Sequence, residues 1–292
     1  MLADSTGPMA SDGNSLVWST DEGIFRKTDT GTERLSGERA SSLAVHGTRM
    51  AWIRRSDSKS DAFEVWRGTL AHGALEATGR LARGDCSPRG LAVDATHVYF
   101  TALCDGIVRI PWAGGRPDTV LPPDVDEYVD NIVLAGDNIA LSGKRVFWTN
   151  GEGVFTSSDA GPVSVVRAQG ISAFAIDGPE LIWADQASGH DVVPPTGAIR
   201  RMSLAGGPVT TLAERQVQVV AIVVQASHVV WRTEVGVIRR VGKDGKGLTT
   251  LRETGCWGYG LEAGPEGFYL EALRKDEVGR RCRPGVYELR IR

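Results

Sequence analysis

The chain has 292 residues, 41% of them hydrophobic and 24% charged, and its 33 Lys plus Arg against 36 Asp plus Glu leave a formal net charge of −3. That balance argues against a nucleic-acid partner and against disorder. The longest strongly apolar stretch, Val217 to Trp231, is broken by Gln218, Gln225, Ser227 and His228; it falls short of the roughly 18 to 20 apolar residues that cross a bilayer, so no transmembrane segment is encoded.

A ten-residue module recurs along the whole chain without internal gaps. Its copies begin at Met9, Leu43, Leu91, Ile139, Phe174, Ile222 and Leu261 and run, for example, Met9-Ala-Ser-Asp-Gly-Asn-Ser-Leu-Val-Trp18 and Phe174-Ala-Ile-Asp-Gly-Pro-Glu-Leu-Ile-Trp183. The starts lie 34, 48, 48, 35, 48 and 39 residues apart, close to the length of one propeller blade. Each module reads as apolar strand, tight turn, apolar strand, with Asp12-Gly13 and Asp177-Gly178 suited to the turn. These are strands A and B. A glycine then opens a short third strand, C, in Gly23-Ile-Phe-Arg26, Gly106-Ile-Val-Arg109, Gly153-Val-Phe155, Gly197-Ala-Ile-Arg200, Gly236-Val-Ile-Arg239 and Gly285-Val-Tyr287. A turn such as Gly206-Gly207 leads to a polar strand D, Val209-Thr-Thr-Leu212, suited to an outer edge. Four strands in each of seven repeats predict an all-β chain, residues 1–292 forming one seven-bladed β-propeller of four-stranded antiparallel blades.

The last repeat ends on its strand C, Tyr287-Glu-Leu-Arg-Ile-Arg292, so the N-terminal Leu2-Ala3-Asp4 is expected to pair with that blade and close the ring. Met1 then stands where native residues such as a signal peptide would precede it. Trp18, Trp52, Trp148, Trp183 and Trp231 share the last module position and are read as fillers between blades, while His97 and His228 are read as turn residues.

Cys86 and Cys256 precede strand A of the third and seventh blades, and Cys104 and Cys282 fall in the B–C loops of the same blades. D–A and B–C loops emerge on one face of a propeller, so the pairs Cys86–Cys104 and Cys256–Cys282 are expected to form disulfides. Bridges of that kind place the protein in the periplasm or outside the cell. Free thiols in a cytosolic protein are the competing reading, and without clustered Cys or His a zinc site is weaker still.

No phosphate loop, zinc-protease helix, nucleophile elbow, EF-hand or N-glycosylation sequon occurs. Function is sought on the D–A and B–C face, where three stretches exceed what the repeat requires. Pro122 to Asn138 carries Asp124, Asp126, Glu127, Asp130 and Asp137, which could hold calcium or magnesium, against the plainer reading of a solvated acidic loop; Tyr128 lies among them. Ala184 to Thr196 brings His190 beside Asp191. Glu271 to Pro284 gathers Arg274, Lys275, Arg280, Arg281 and Arg283, a candidate anion contact whose plainer reading is a solvated charge run. Trp257 and Tyr259, outside the structural aromatic positions and beside Cys256, are candidates for stacking on a sugar or apolar ligand.

The modules Leu91-Ala-Val-Asp-Ala-Thr-His-Val-Tyr-Phe-Thr101 and Phe174-Ala-Ile-Asp-Gly-Pro-Glu-Leu-Ile-Trp-Ala184, with their Gly-x-Ile/Val strands and Gly-Gly turns, resemble YWTD, NHL and TolB-like propeller repeats over nearly the whole chain. The likeness is greatest to bacterial exported or lipoprotein propellers of unassigned role. Phe147-Trp148-Thr149-Asn150 is the nearest copy of the Tyr-Trp-Thr-Asp tetrapeptide. The resemblance implies a scaffold that binds a glycan, peptide or partner protein, here as a monomer and without catalysis or a required cofactor. Propeller enzymes such as streptogramin lyase and gluconolactonase-like hydrolases set the alternative, a metal-assisted lyase or lactonase at the channel mouth using acids such as Asp124, Asp126 and Glu127.

Overall fold

The computed structural model describes residues 7–12, 14–28, 30–55, 62–71, 74–102, 106–122, 140–142, 145–149, 152–158, 161–186, 196–225, 227–256, 258, 260–264, 267–272 and 285–289. Among them there is no helix, and every sheet is a consecutive antiparallel meander. The first blade is β1 (Met9–Ser11), β2 (Leu16–Thr20), β3 (Gly23–Thr28) and β4 (Gly31–Ser36). The second is β5 (Ser42–His46), β6 (Arg49–Arg55), β7 (Phe63–Ala71) and β8 (Ala74–Gly84). The third is β9 (Pro88–Val93), β10 (His97–Ala102), β11 (Gly106–Pro111) and β12 (Asp118–Leu121). The fourth is β13 (Ala140–Ser142), β14 (Arg145–Thr149), β15 (Gly153–Ser158) and β16 (Gly161–Arg167). The fifth is β17 (Ile171–Asp177), β18 (Glu180–Gln186), β19 (Thr196–Ser203) and β20 (Thr210–Val217). The sixth is β21 (Val219–Gln225), β22 (His228–Thr233), β23 (Val237–Gly242) and β24 (Thr249–Glu253). The seventh contributes β25 (Leu261–Gly264), β26 (Gly267–Ala272) and β27 (Gly285–Leu289).

The sequence module is the A–B hairpin, and its ends face each other. Met9 pairs with Trp18, Leu43 with Trp52, Leu91 with Phe100, Phe174 with Trp183, Ile222 with Trp231 and Leu261 with Leu270. The strands named A form the inner ring: each approaches its neighbour, and β1 meets β25, so the circle closes at its centre. The expected outer closure by Leu2-Ala3-Asp4 lies outside the described residues, among which the seventh sheet has three strands.

One packing rule runs around the ring, in which the last module residue of each blade buries itself against the blade before it. Trp52 packs with Val17 and Ile24 of the first blade, Phe100 with Ile53 and Phe63 of the second, and Trp148 with Tyr99 and Ile107 of the third. Trp183 packs with Phe147 and Val154, Trp231 with Ile182 and Ile199, and Leu270 with Val230 and Ile238. Trp18 completes the circle against Tyr269 and Val286 of the seventh blade. Trp18 and Trp231 are 0% exposed, so these side chains are the inter-blade core rather than a ligand platform.

The expected C strands start where glycine is needed. A β-carbon on Gly197 would overlap the Asp185 carbonyl oxygen, and one on Gly23, at φ +142°, would overlap that of Ser36. The second blade breaks the rule: its C strand, Phe63–Ala71, has no leading glycine and is longer than the others, as is its strand D, Ala74–Gly84. His97 and His228, expected in the turn, instead open β10 and β22 as paired strand residues, directly after the turn. The Asp94 carboxylate accepts from the Thr96 and His97 N–H groups at 2.6 and 2.7 Å, and the His228 ring bonds Ser227 Oγ at 3.0 Å.

Candidate functional site

The D–A connections and the ends of the B strands meet on one face, and between the first and second blades they leave a cleft of about 780 Å³. Its floor is built of small polar groups. Ser19 and Thr20, at the end of β2, are 1% and 5% exposed, and Ser19 Oγ accepts from the Ala40 N–H at 2.9 Å. Ser41 N donates to the Ile53 carbonyl at 2.8 Å, so the segment joining β4 to β5 is tied to both blades. Ser19 N donates to the Pro8 carbonyl at 3.0 Å, and a β-carbon on the neighbouring Gly7 would overlap the Ser19 oxygen, which lets the entering chain lie along β2.

The walls are cationic. Arg54 and Arg55 end β6, Glu64 is the second residue of β7, Arg83 lies one residue before the end of β8, and Arg39 comes from the D–A segment. Arg54, Glu64 and Arg83 are successive cross-strand partners and share one face of the sheet. Arg54 is held on all sides: Nη2 donates to Glu64 Oε2 at 2.6 Å, Nη1 to Glu38 Oε1 at 3.4 Å, and the guanidinium lies 5.0 Å over the Trp66 ring. The Arg80 guanidinium reaches Glu64 Oε1 at 2.7 Å and Trp66 Nε1 donates to Oε2 at 3.1 Å. The Arg80 bond, joined by those from Trp66 and Arg54, outweighs burial and holds the Glu64 carboxyl down at about 2. Glu64 is therefore ionised near neutral pH and fully engaged.

The remaining arginines are less committed. Arg39 pairs with Asp21 at 3.1 Å, but both side chains are more than 70% exposed and such a pair is weak. Arg55 and Arg83 are exposed and pair with no described residue. A guanidinium presents a planar fork of donors that matches a carboxylate or phosphate in two parallel bonds. The one carboxylate among the described residues lining the cleft is locked in its charged form, which suits the place to holding an anion rather than to moving a proton.

The residues expected from the sequence fall elsewhere. Trp257, Tyr259, Tyr128, His190 and Asp191 lie outside the described residues, as do Asp124, Asp126 and Glu127 of the expected cation loop and Cys104 and Cys282 of the expected bridges. Cys86 and Cys256 are described and neither is a free thiol. The borders of two of these stretches are fixed. Arg232, 1% exposed, donates from Nη2 to the Cys256 carbonyl at 3.0 Å and from Nη1 to that of Gly260 at 3.1 Å, on either side of Trp257 and Tyr259. Asp185, where the His190 stretch begins, accepts from Arg200 Nε at 2.5 Å and Ala198 N at 3.1 Å. Among the described residues no three His, Cys, Asp or Glu side chains gather as a metal site.

Sequence reading passed over the cleft arginines, which stand far apart in the chain. One signal was available: β6 alone among the B strands ends in two arginines, where β2 and β22 end in Ser19-Thr20 and Arg232-Thr233.

No family profile matches the chain, and no curated protein matches it by sequence. Its fold is similar to many solved propellers. A nidogen/laminin complex contains a chain with TM-score 0.55 and 16% identity, covering 77% of this chain and 85% of that one. The YCF48 protein bound to a D1 peptide gives TM-score 0.62 at 10% identity, covering 91% and 89%. BamB from Moraxella catarrhalis gives 0.52 at 13% identity, covering 91% and 80%. With the inner ring, the meandering sheets and the packing rule, this likeness establishes the protein as a seven-bladed β-propeller.

Proposed function

We propose that the protein is a non-catalytic, monomeric propeller that binds a peptide or protein partner on its D–A and B–C face. The observation that carries this reading is the arginine-walled cleft between the first two blades, which opens on that face and whose single acid among the described residues is locked in its ionised state. Structural neighbours give secondary support: by their descriptions, one is seen in a complex with laminin and another holds a peptide. Residence outside the cytoplasm belongs to the same proposal. It rests on Cys86 and Cys256 not being free thiols and on the pairings Cys86–Cys104 and Cys256–Cys282. Mass spectra of unreduced tryptic digests should contain both cross-linked peptides.

The test is selection of peptides from a displayed library against the folded protein, followed by the variant Ser41→Trp, whose new ring would fill the cleft from an exposed position. Selected peptides are expected to bind wild type and to lose at least tenfold in affinity against Ser41→Trp. Peptides indifferent to that change would move binding off this face. A rise in melting temperature with calcium or magnesium, absent in EDTA, would instead favour a metal-assisted lyase or lactonase.

A further inference from the structure

Two arginines of the second blade converge on one tryptophan of the third, on the face of the A–B and C–D turns and away from the proposed peptide cleft. Arg49 opens β6 and pairs with Thr69, and Arg67 stands two residues before Thr69 on β7. They are diagonal neighbours on one face of the sheet, their β-carbons about 7 to 8 Å apart. That face looks toward the third blade, because Ala51, the partner of Arg67, packs there with Val98 and Val108. Trp112, directly after β11, receives both side chains. The guanidinium of Arg49 lies 5.3 Å from its ring centre and that of Arg67 5.7 Å, and Arg67 Nη1 donates to the Trp112 carbonyl. Trp112 is itself anchored, since its N–H donates to the Thr96 carbonyl at 2.7 Å.

The two charges gathered here have no counterweight among the described residues, none of whose carboxylates pairs with Arg49 or Arg67. The nearby acids are engaged or exposed. Asp94 accepts from the N–H groups of Thr96 and His97 and from the hydroxyls of Thr96 and Tyr99, Asp118 takes Arg109 at 2.5 Å, and Glu76 is exposed on β8. Arg49 Nη1 and Arg67 Nε are shielded from solvent and find no acceptor among the described residues. Like charges side by side, each with an orphaned donor, are unfavourable until an anion joins them. Room for one exists at Gly79, the cross-strand partner of Arg67 on β8. A β-carbon there would meet Arg67 Nε at 3.8 Å and nothing else within 4 Å beyond its chain neighbours.

We propose that Arg49 and Arg67 bind a phosphate group, free or as the monoester of a small aliphatic alcohol, in the indentation at Gly79 beside Trp112. A phosphate dianion balances the two positive charges, and its tetrahedral oxygens can meet two planar forks at once, whereas a carboxylate offers its one edge to a single fork. The Trp112 ring is engaged by the guanidiniums rather than open for stacking, which favours a small ligand over a nucleotide.

Isothermal titration with inorganic phosphate, glycerol 3-phosphate and acetate at matched ionic strength decides it. Wild type is expected to bind phosphate at one site and acetate at least tenfold more weakly. Glycerol 3-phosphate binding as tightly as phosphate identifies a monoester ligand, and binding at least tenfold weaker identifies the free anion. Arg49→Gln combined with Arg67→Gln should weaken phosphate binding at least tenfold. Because Arg67 also joins the two blades, a second pair of variants keeps both arginines. Gly79→Glu places a tethered carboxylate opposite Arg67; it should abolish phosphate binding and melt higher in phosphate-free buffer than Gly79→Gln, which adds the same bulk without charge. Ser41→Trp, in the peptide cleft, should bind phosphate like wild type, so this proposal and the peptide reading fail separately. No saturable binding up to about 10 mM phosphate, acetate binding as tightly as phosphate, or phosphate binding that survives Gly79→Glu but is lost in Ser41→Trp would overturn the proposal.

Discussion

The backbone N–H of Ser11, in the first blade, donates to the Glu262 carboxyl in the seventh, across the line where the ring closes. Glu262 is the second residue of its module, a position held by Ala10, Ala44, Ala92, Ala140, Ala175 and Val223 elsewhere. It pairs with Tyr269, which is 0% exposed and packs on Trp18. Burial pushes its carboxyl up to about 8, and the single Ser11 bond only partly opposes this.

The sign of the resulting pH dependence follows from linkage. Below the ordinary value of 4.5 the carboxyl is protonated in both folded and unfolded chains, and the contribution is fully present. Between 4.5 and about 8 the unfolded chain alone gives up its proton, so stability falls as pH rises and the contribution is lost past the folded value. Glu262→Gln is expected to flatten this decline and to stabilise the protein by on the order of 2 kcal/mol at pH 8. Urea unfolding of both forms from pH 5 to 9 measures it; parallel curves would contradict the expectation.

Glu64 titrates in the opposite sense. Its folded value of about 2 lies below the ordinary 4.5, so its stabilisation is present above 4.5 and is lost as pH falls through 2. The side chain is 19% exposed, and solvent screens the pairs in part. Glu64→Gln should therefore cost about 1 kcal/mol at pH 7 and nothing near pH 2. Chemical unfolding at pH 7 against pH 3 and lower would reveal the convergence.

The packing rule predicts unequal costs at two residues of one hairpin. Trp231 is 0% exposed between the fifth and sixth blades and donates from Nε1 to Gln216 Oε1 at 3.2 Å. Trp231→Ala should cost about 3 to 5 kcal/mol through cavity formation, with the loss of its donor to Gln216 in addition. His228, at the start of β22 and only part-buried, should tolerate alanine within about 0.5 kcal/mol. Differential scanning calorimetry of the two variants separates the cases.

Arg232 is a buried cation whose guanidinium holds the carbonyls of Cys256 and Gly260. Arg232→Met keeps the volume and removes the donors, at an expected cost of about 3 kcal/mol. Hydrogen exchange should rise first at residues 254–261, ahead of the rest of the seventh blade. Uniform exchange throughout the ring would show that Arg232 acts on the whole blade rather than on this connection.

The A–B hairpins were legible because alternating apolar residues around a tight turn recur at a fixed length, and the Cα partners of module ends confirm that register in six blades. The second blade's outer strands were not, since Phe63–Ala71 has no opening glycine to mark it. Glu262 was visible as a departure from alanine, but its burial depends on the first blade lying against the seventh, which only ring closure brings about. Arg39, Arg54, Arg55 and Arg83 form a site through convergence of a connection and two strands, and no local pattern encodes that meeting.

The modules start between 34 and 48 residues apart, yet the ends of each hairpin meet in the same register. Variation in length is thus absorbed outside the inner ring and leaves the wedge of each blade unaltered. A lineage carrying this fold could lengthen, recharge or exchange one loop at a time and test a new ligand with each change, while the ring beneath kept the same geometry.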